Sequence, residues 1–249
     1  MREDTGRGGS KLLHRIFSEG RRIFISKPVN HFPLAPEASK HVLMGGGIGV
    51  TPMIAFAHEC YAKGIDFELH YSVSIKSEAA FVRELQGFDW ADKVHFHFSD
   101  QGSRADFGAI LSDHSEGSHV YACGPERFMS GVMDAAKRQG FPEDACHTEY
   151  FSVPDLPDYE NHDFTLRLAK SGKEFTIPPD KTAAEVLIEN GYPIDLKCSD
   201  GICGVCKCGL KGGEVEHRDF VLSNTQRHDS IILCQSRASK KDGVVEIDL

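Results

Sequence analysis

The 249-residue sequence has no run approaching the ~18 consecutive apolar residues of a membrane-spanning helix. Its opening residues are polar and charged rather than signal-like. It has no excess of positive charge. Lys and Arg number 28 against 37 Asp and Glu, and the formal charge of −9 argues against a nucleic-acid or anionic-membrane surface. Internal repeats and low-complexity tracts are missing too. Hydrophobic and charged fractions of 40% and 26% belong to an ordinary soluble protein, long enough for two compact domains.

What is there is cysteine. Eight are present, and four are spaced for metal, which suits a reducing cytoplasm better than a secreted disulfide scaffold. Cys198, Cys203 and Cys206 stand at C-x4-C-x2-C, and Cys234 follows downstream. This is the plant-type arrangement of a 2Fe–2S cluster. Gly201 and Gly204 let the loop backbone wrap closely, so that amides can face the sulfides. A zinc site, which usually pairs its cysteines in two knuckles, and a set of buried thiols are the alternatives. Cys208 is one cysteine too many and reads as a bystander.

The first 36 residues do not amount to a complete unit. A polar, glycine-rich opening leads to a short helical pattern at Leu12, Leu13, Ile16 and Phe17, then to an expected strand over 22–28 ended by Pro28. Residues 37–151 alternate strand and helix, which predicts a parallel sheet with covering helices. A strand from His41 runs into Gly45-Gly-Gly-Ile-Gly-Val-Thr-Pro52, with Thr51 expected as N-cap and Pro52 as first residue of a helix over 53–63, closed by Gly64. Further elements are expected at 67–72 (strand), 77–86 (helix), 94–99 (strand), 106–111 (helix), 119–123 (strand) and 126–139 (helix).

Two turns, Gly45 to Thr51 and Cys123-Gly124-Pro125, stand at carboxyl ends of strands, where open α/β sheets bind ligands. A glycine-rich turn feeding a helix offers free amides to a phosphate, although a purely structural turn reads the same way. It is not a full G-x-G-x-x-G, since Val50 holds the last position. No acidic residue ends the second strand, so NADH and NADPH stay undistinguished.

Residues 152–162, rich in proline and acid, read as an exposed linker. Residues 163–249 read as a hairpin (164–168 and 174–177), a helix opened by a capping box at Thr182 and Glu185, the cysteine loop, and closing strands at 231–233 and 244–247. That is a β-grasp layout.

These residues resemble the phthalate dioxygenase reductase-like group, which includes vanillate demethylase and carnitine monooxygenase reductases. The matching motifs are Gly6-Arg-Gly-Gly-Ser10, Pro28-Val-Asn-His-Phe-Pro-Leu34, Gly45 to Pro52, Tyr121-Ala-Cys-Gly-Pro125, Glu149-Tyr-Phe151 and the cysteine loop with Cys234. They cover the chain from about residue 5 to its end. The resemblance implies a mixed α/β protein: a ferredoxin reductase-type nicotinamide domain (37–151), a linker, and a 2Fe–2S ferredoxin domain (163–249), preceded by a remnant of a flavin-binding β-barrel (1–36).

It implies NADH (or NADPH), FMN and a 2Fe–2S cluster as cofactors. Thr51 and Cys123 would border the nicotinamide, and Gly45, Gly47, Gly49, Pro52, Gly124 and Pro125 would shape its site. Phe151 would pack against the flavin ring, and Gly8, Gly9 and Ser10 would contact the FMN phosphate. The family's Arg-x-Tyr flavin grip occurs nowhere in this sequence, so a shortened chain with a weakened hold on FMN is expected.

The implied chemistry runs from hydride donor through flavin to single electrons at the cluster and on to a Rieske non-haem iron oxygenase. A plant-type cluster near about −400 mV can reduce a Rieske centre of higher potential. No general acid or base is required, so the histidines carry no catalytic burden. The alternatives are a ferredoxin-like carrier with little NADH oxidation of its own, and a reductase of the ferredoxin–NADP or methane monooxygenase type, whose ferredoxin usually lies at the N-terminus.

Overall fold

The computed structural model describes residues 8–25, 27–28, 30–112, 116–151, 153 and 159–249, and the chain divides into two units, residues 1–30 and 31–249. The first unit holds α1 (Gly9–Ile16), whose N-cap Gly8 takes a left-handed φ of 77°. The strand expected over 22–28 does not form among its described residues. Described residues 21–25, 27 and 28 carry no strand, and Phe24 and Ile25 are 97% and 80% exposed. An extended segment without a neighbour to share backbone hydrogen bonds does not become a strand.

The second unit opens with β1 (Lys40–Gly46), α2 (Val50–Lys63), β2 (Asp66–Val73), α3 (Val82–Gln86), β3 (Val94–Phe98), α4 (Phe107–Ser112), β4 (Ser118–Cys123), α5 (Glu126–Arg138) and β5 (Cys146–Glu149). The five strands are parallel in the order β3-β2-β1-β4-β5. Val42 to Gly46 of β1 are all buried, as in the centre of a sheet covered on both faces. Alternation sends Leu43, Phe67, Leu69 and Tyr71 into a core with Met53, Phe56 and Ala57 of α2. Val42 and Met44 face the other way, onto Leu111 of α4 and Met129 and Val132 of α5.

Three expectations shift here. The turn Gly47–Gly49 is a 3-10 turn that runs straight into α2, so Thr51 and Pro52 already lie inside the helix. The Thr51 hydroxyl donates to the Ile48 carbonyl at 3.0 Å instead of capping. Gly64 closes α2 with φ 67°, as expected. Helix α3 is half its expected length, because Ala79 is extended and Phe81 takes φ 61°. Strand β5, which the sequence reading did not assign, forms the sheet edge.

The chain continues with β6 (Phe164–Leu168), β7 (Glu174–Ile177), α6 (Ala183–Glu189), β8 (Lys207–Gly212), β9 (Val215–Glu216), β10 (Ser230–Ile232), β11 (Arg237–Ala238) and β12 (Val244–Ile247). The order is β10-β8-β12-β6-β7, with β12 parallel to β6 and antiparallel to β8. The capping box of α6 is complete: the Glu185 amide donates to Thr182 Oγ1 at 3.2 Å and the Thr182 amide to Glu185 Oε2 at 2.8 Å. Arg237, 5% exposed, donates to the carbonyls of Lys181, His162 and Pro178 at 2.8–2.9 Å. Arg218 donates to Asn161 Oδ1 at 2.6 Å, so residues 161 and 162 are tied to this sheet.

Candidate metal centre and the adjoining cleft

Cys198, Cys203 and Cys206 lie in the loop between α6 and β8, and Cys234 follows β10. Hydrogen bonding closed at β10–β8 therefore brings a residue distant in sequence to the loop. Cys206 and Cys234 are buried, and Cys198 and Cys203 are partly exposed. Cys203 neighbours Cys198, and Cys234 neighbours Cys206. Among the described residues, three metal-ligating atoms lie within 4.8 Å of one another only at Glu68, His70 and His95. No three of the four sulfurs therefore lie within 4.8 Å of one another. A single tetrahedral zinc at ~2.3 Å from four sulfurs would hold all of them about 3.8 Å apart. That spread would suit a two-metal core, which Cys198, Cys203, Cys206 and Cys234 would hold through their thiolates.

The loop backbone suits anionic sulfur. The Asp200 amide donates to Cys198 Sγ at 3.3 Å. Burial pushes the Cys198 thiol up, but amides of Asp200, Ile202 and Cys203 and the Cys203 side chain bring it below its ordinary value. The hydrogen bond from Cys234 likewise lowers Cys206. Gly201 and Gly204 adopt φ 72° and 70°, and Ser199 takes 61°. A Cβ on Gly201 would press on Gln235 and on the Asp219 backbone, at 3.1 and 3.3 Å. Cys208 sits on β8 opposite Ile231, away from these pairs in the ladder.

The loop is braced by residues that the sequence reading missed. Buried Asp219 Oδ1 accepts from the amides of Val221 (3.1 Å) and Leu222 (2.8 Å), and the Phe220 amide donates to Gly201 O at 3.1 Å. Gln235 Nε2 donates to Ser199 O at 2.7 Å.

The two glycine turns meet at the other end of the unit's chemistry. Strand order leaves β1 toward β2 on one side and β4 on the other, so the carboxyl ends of β1 and β4 flank the switch point where α/β sheets open a ligand crevice. Gly45 lies opposite Cys123 in the register. A Cβ on Gly49 would fall inside the Cys123 carbonyl, and one on Gly124 would stand 2.9 Å from the Gly46 Cα. The turns therefore pack backbone on backbone, which only glycine permits. Gly47, with φ 56°, has open space beside it. The buried Cys123 thiol is pushed up to about 12 by burial, with the Glu149 charge adding to it.

Between sheet and loop lies a cleft of about 420 Å³, lined by Glu149 and Tyr150 at the end of β5 and by Lys197, Cys198, Cys203 and Lys207. Phe151, next along, is 54% exposed. Two side-chain contacts join the sheet's rim to the loop region. Asn224 donates through its amide N and Nδ2 to the two Glu143 oxygens at 3.0 Å each, and the rings of Tyr150 and Phe220 are 5.3 Å apart. Gly8, Gly9 and Ser10 lie in the first unit at the start of α1.

Residues 166–239 match the 2Fe-2S iron-sulfur cluster binding domain, and residues 23–146 match the N-terminal domain of DmmA-like dimethylamine monooxygenase subunits. The vanillate O-demethylase oxidoreductase of Pseudomonas sp. (strain HR199 / DSM 7063) is 38% identical over 100% of this chain and 79% of its own length. The carnitine monooxygenase reductase subunit of Escherichia coli (strain K12) is 38% identical over 98% and 76%. The chain belongs to this family of oxygenase reductases. A solved family structure, phthalate dioxygenase reductase, described as modular for electron transfer from pyridine nucleotides to [2Fe-2S], superposes with a TM-score of 0.61 at 35% identity, over 100% of this chain and 77% of that one. An intact type IV self-sufficient cytochrome P450 monooxygenase superposes at 0.82 with 34% identity, and this chain spans 32% of its length. As a member of the family, the protein is an iron–sulfur oxidoreductase that transfers electrons. No helix among the described residues is long and apolar enough to cross a membrane.

Proposed function

We propose that the protein carries electrons from NADH, by way of FMN, to a 2Fe–2S cluster held by Cys198, Cys203, Cys206 and Cys234, and on to a Rieske-type oxygenase in the cytoplasm. The observation that carries this reading is the cleft, which puts two of the four thiols and the end of β5 on the walls of one space. A bound flavin supplies the conversion of a hydride pair into single electrons, and the cluster accepts them one at a time.

The chain's own residues position these groups. Gly45, Gly47, Gly49 and Gly124 bring bare backbone to the nicotinamide crevice, with Thr51, Pro52, Cys123 and Pro125 as its walls. The thiol of Cys123, held protonated by its burial, contributes shape rather than nucleophilicity. Phe151 offers a half-exposed ring to the flavin, and Gly8, Gly9 and Ser10 supply amides for its phosphate. Lys197 and Lys207 offset negative charge in the cleft. Asp200, Ile202 and Cys203 hold the thiolate of Cys198 through their amides.

Anaerobic mixing of the iron–sulfur protein with NADH and FMN tests the reading. Bleaching of the cluster absorbance that needs both reagents is expected, with NADPH as the comparison. Oxidation of NADH without any change at the cluster, or a cluster that accepts dithionite electrons but none from NADH with FMN, overturns it.

A further inference from the structure

The histidines have no part in this electron path, yet four polar residues gather on one face of β2 and β3. Phe67, Leu69 and Tyr71 of β2 enter the core beneath α2, so Glu68 and His70 point to the opposite face. The parallel register sets His70 beside His95, with His97 two residues on. The ring of His70 lies between them, 4.7 Å from His95 at 20° and 5.3 Å from His97 at 17°.

His70 is 6% exposed. Its Nδ1 is 3.0 Å from His97 Nε2. In the tautomer in which His70 Nδ1 donates to His97 Nε2, the free lone pair of His70 lies on Nε2. That buried nitrogen has no hydrogen-bond partner. It looks at Glu68 Oε1, another acceptor, across 3.6 Å. In that tautomer both atoms present lone pairs, and a cation between them satisfies both. A tetrahedral ion at ~2.0–2.1 Å from each would set them about 3.3 Å apart. Exposed His95 brings a second nitrogen, and the three ligand atoms lie within 4.8 Å of one another. The remaining Glu68 oxygen is 3.4 Å from Lys40 Nζ, which orients the carboxylate.

We propose that Glu68, His70 and His95 form a site for a divalent transition-metal ion, with His97 fixing the tautomer of His70 and the solvent-facing fourth position filled by water. Two imidazoles and one carboxylate select zinc-like ions over magnesium or calcium. A neighbour that holds the ligand's second ring nitrogen is the usual support of a metal-bound histidine. The ion would clamp edge strand β3 to β2.

The test titrates zinc chloride calorimetrically into the full chain with its iron–sulfur cluster loaded, while the cluster absorbance is followed. The expected result is one equivalent bound, an unchanged cluster spectrum and a raised thermal midpoint. His95→Ala, a change at an exposed side chain, and Glu68→Gln should each weaken binding at least about tenfold, as loss of even a supporting residue does. Their zinc-free melting checks that both fold. Absence of binding, wild-type affinity in the two variants, or uptake that bleaches the cluster in all three proteins overturns the proposal.

Discussion

The sheet half and the ferredoxin half of the second unit build their chemistry from opposite materials. At the switch point of the parallel sheet the working surface is backbone, and glycines remove side chains so that two turns can touch. Around the cysteine loop the working surface is side chain, and glycines serve only to bend the backbone behind four thiols. The first arrangement fails when something is added, and the second when something is removed.

Changes at each end can break or sharpen that contrast. Cys203→Ser takes one partner from a thiol pair, and the expected outcome is loss of nearly all iron and acid-labile sulfide from the purified protein, with the sheet half still folded by circular dichroism. Gly49→Ala adds one methyl group where the Cys123 carbonyl already stands. It should cost about 1–3 kcal/mol or more in urea unfolding, while leaving iron content intact.

Acid separates the halves more gently. His97 and His147 are both pushed down to about 4, His97 by burial and its histidine neighbours, His147 by burial and the charges of His119 and His41. Unfolding returns each to its ordinary value near 6.5, so the unfolded chain binds more protons. Stability should be level above about pH 6.5 and fall as pH drops toward 4. The measurement is the urea midpoint across that range, and His147→Gln should flatten part of the slope. The smallest effect is expected of Thr182→Ala, which removes the cap of α6 and should cost about 1 kcal/mol without changing the iron content.

Legibility in the sequence followed the same division. The cysteine spacing is local, so the loop's chemistry could be read from a dozen residues, and the capping box at Thr182 and Glu185 forms as its pattern predicts. Helix α2 ended where Gly64 said it would, but it began early. A 3-10 turn over Gly47–Gly49 feeds it directly, and no local pattern separates such a turn from a capped start. Strand β5 escaped notice because Cys146, His147, Thr148 and Glu149 carry neither alternation nor a hydrophobic run, and only pairing with β4 makes them a strand. The cleft, the Asp219 brace and the histidine cluster join residues from separate elements. Periodicity cannot reveal them. The segment over 22–28 had strand-like composition, and composition does not supply a neighbour.

The unequal shielding of the thiol pairs sets an order of chemical attack. Cys206 and Cys234 lie beneath the surface, while Cys198 and Cys203 border the cleft. In the metal-free protein an alkylating reagent or peroxide meets the outer two first. Damage therefore begins on the side where the electron donor is proposed to sit, and a donor seated there acts as a physical guard for the sulfurs it serves.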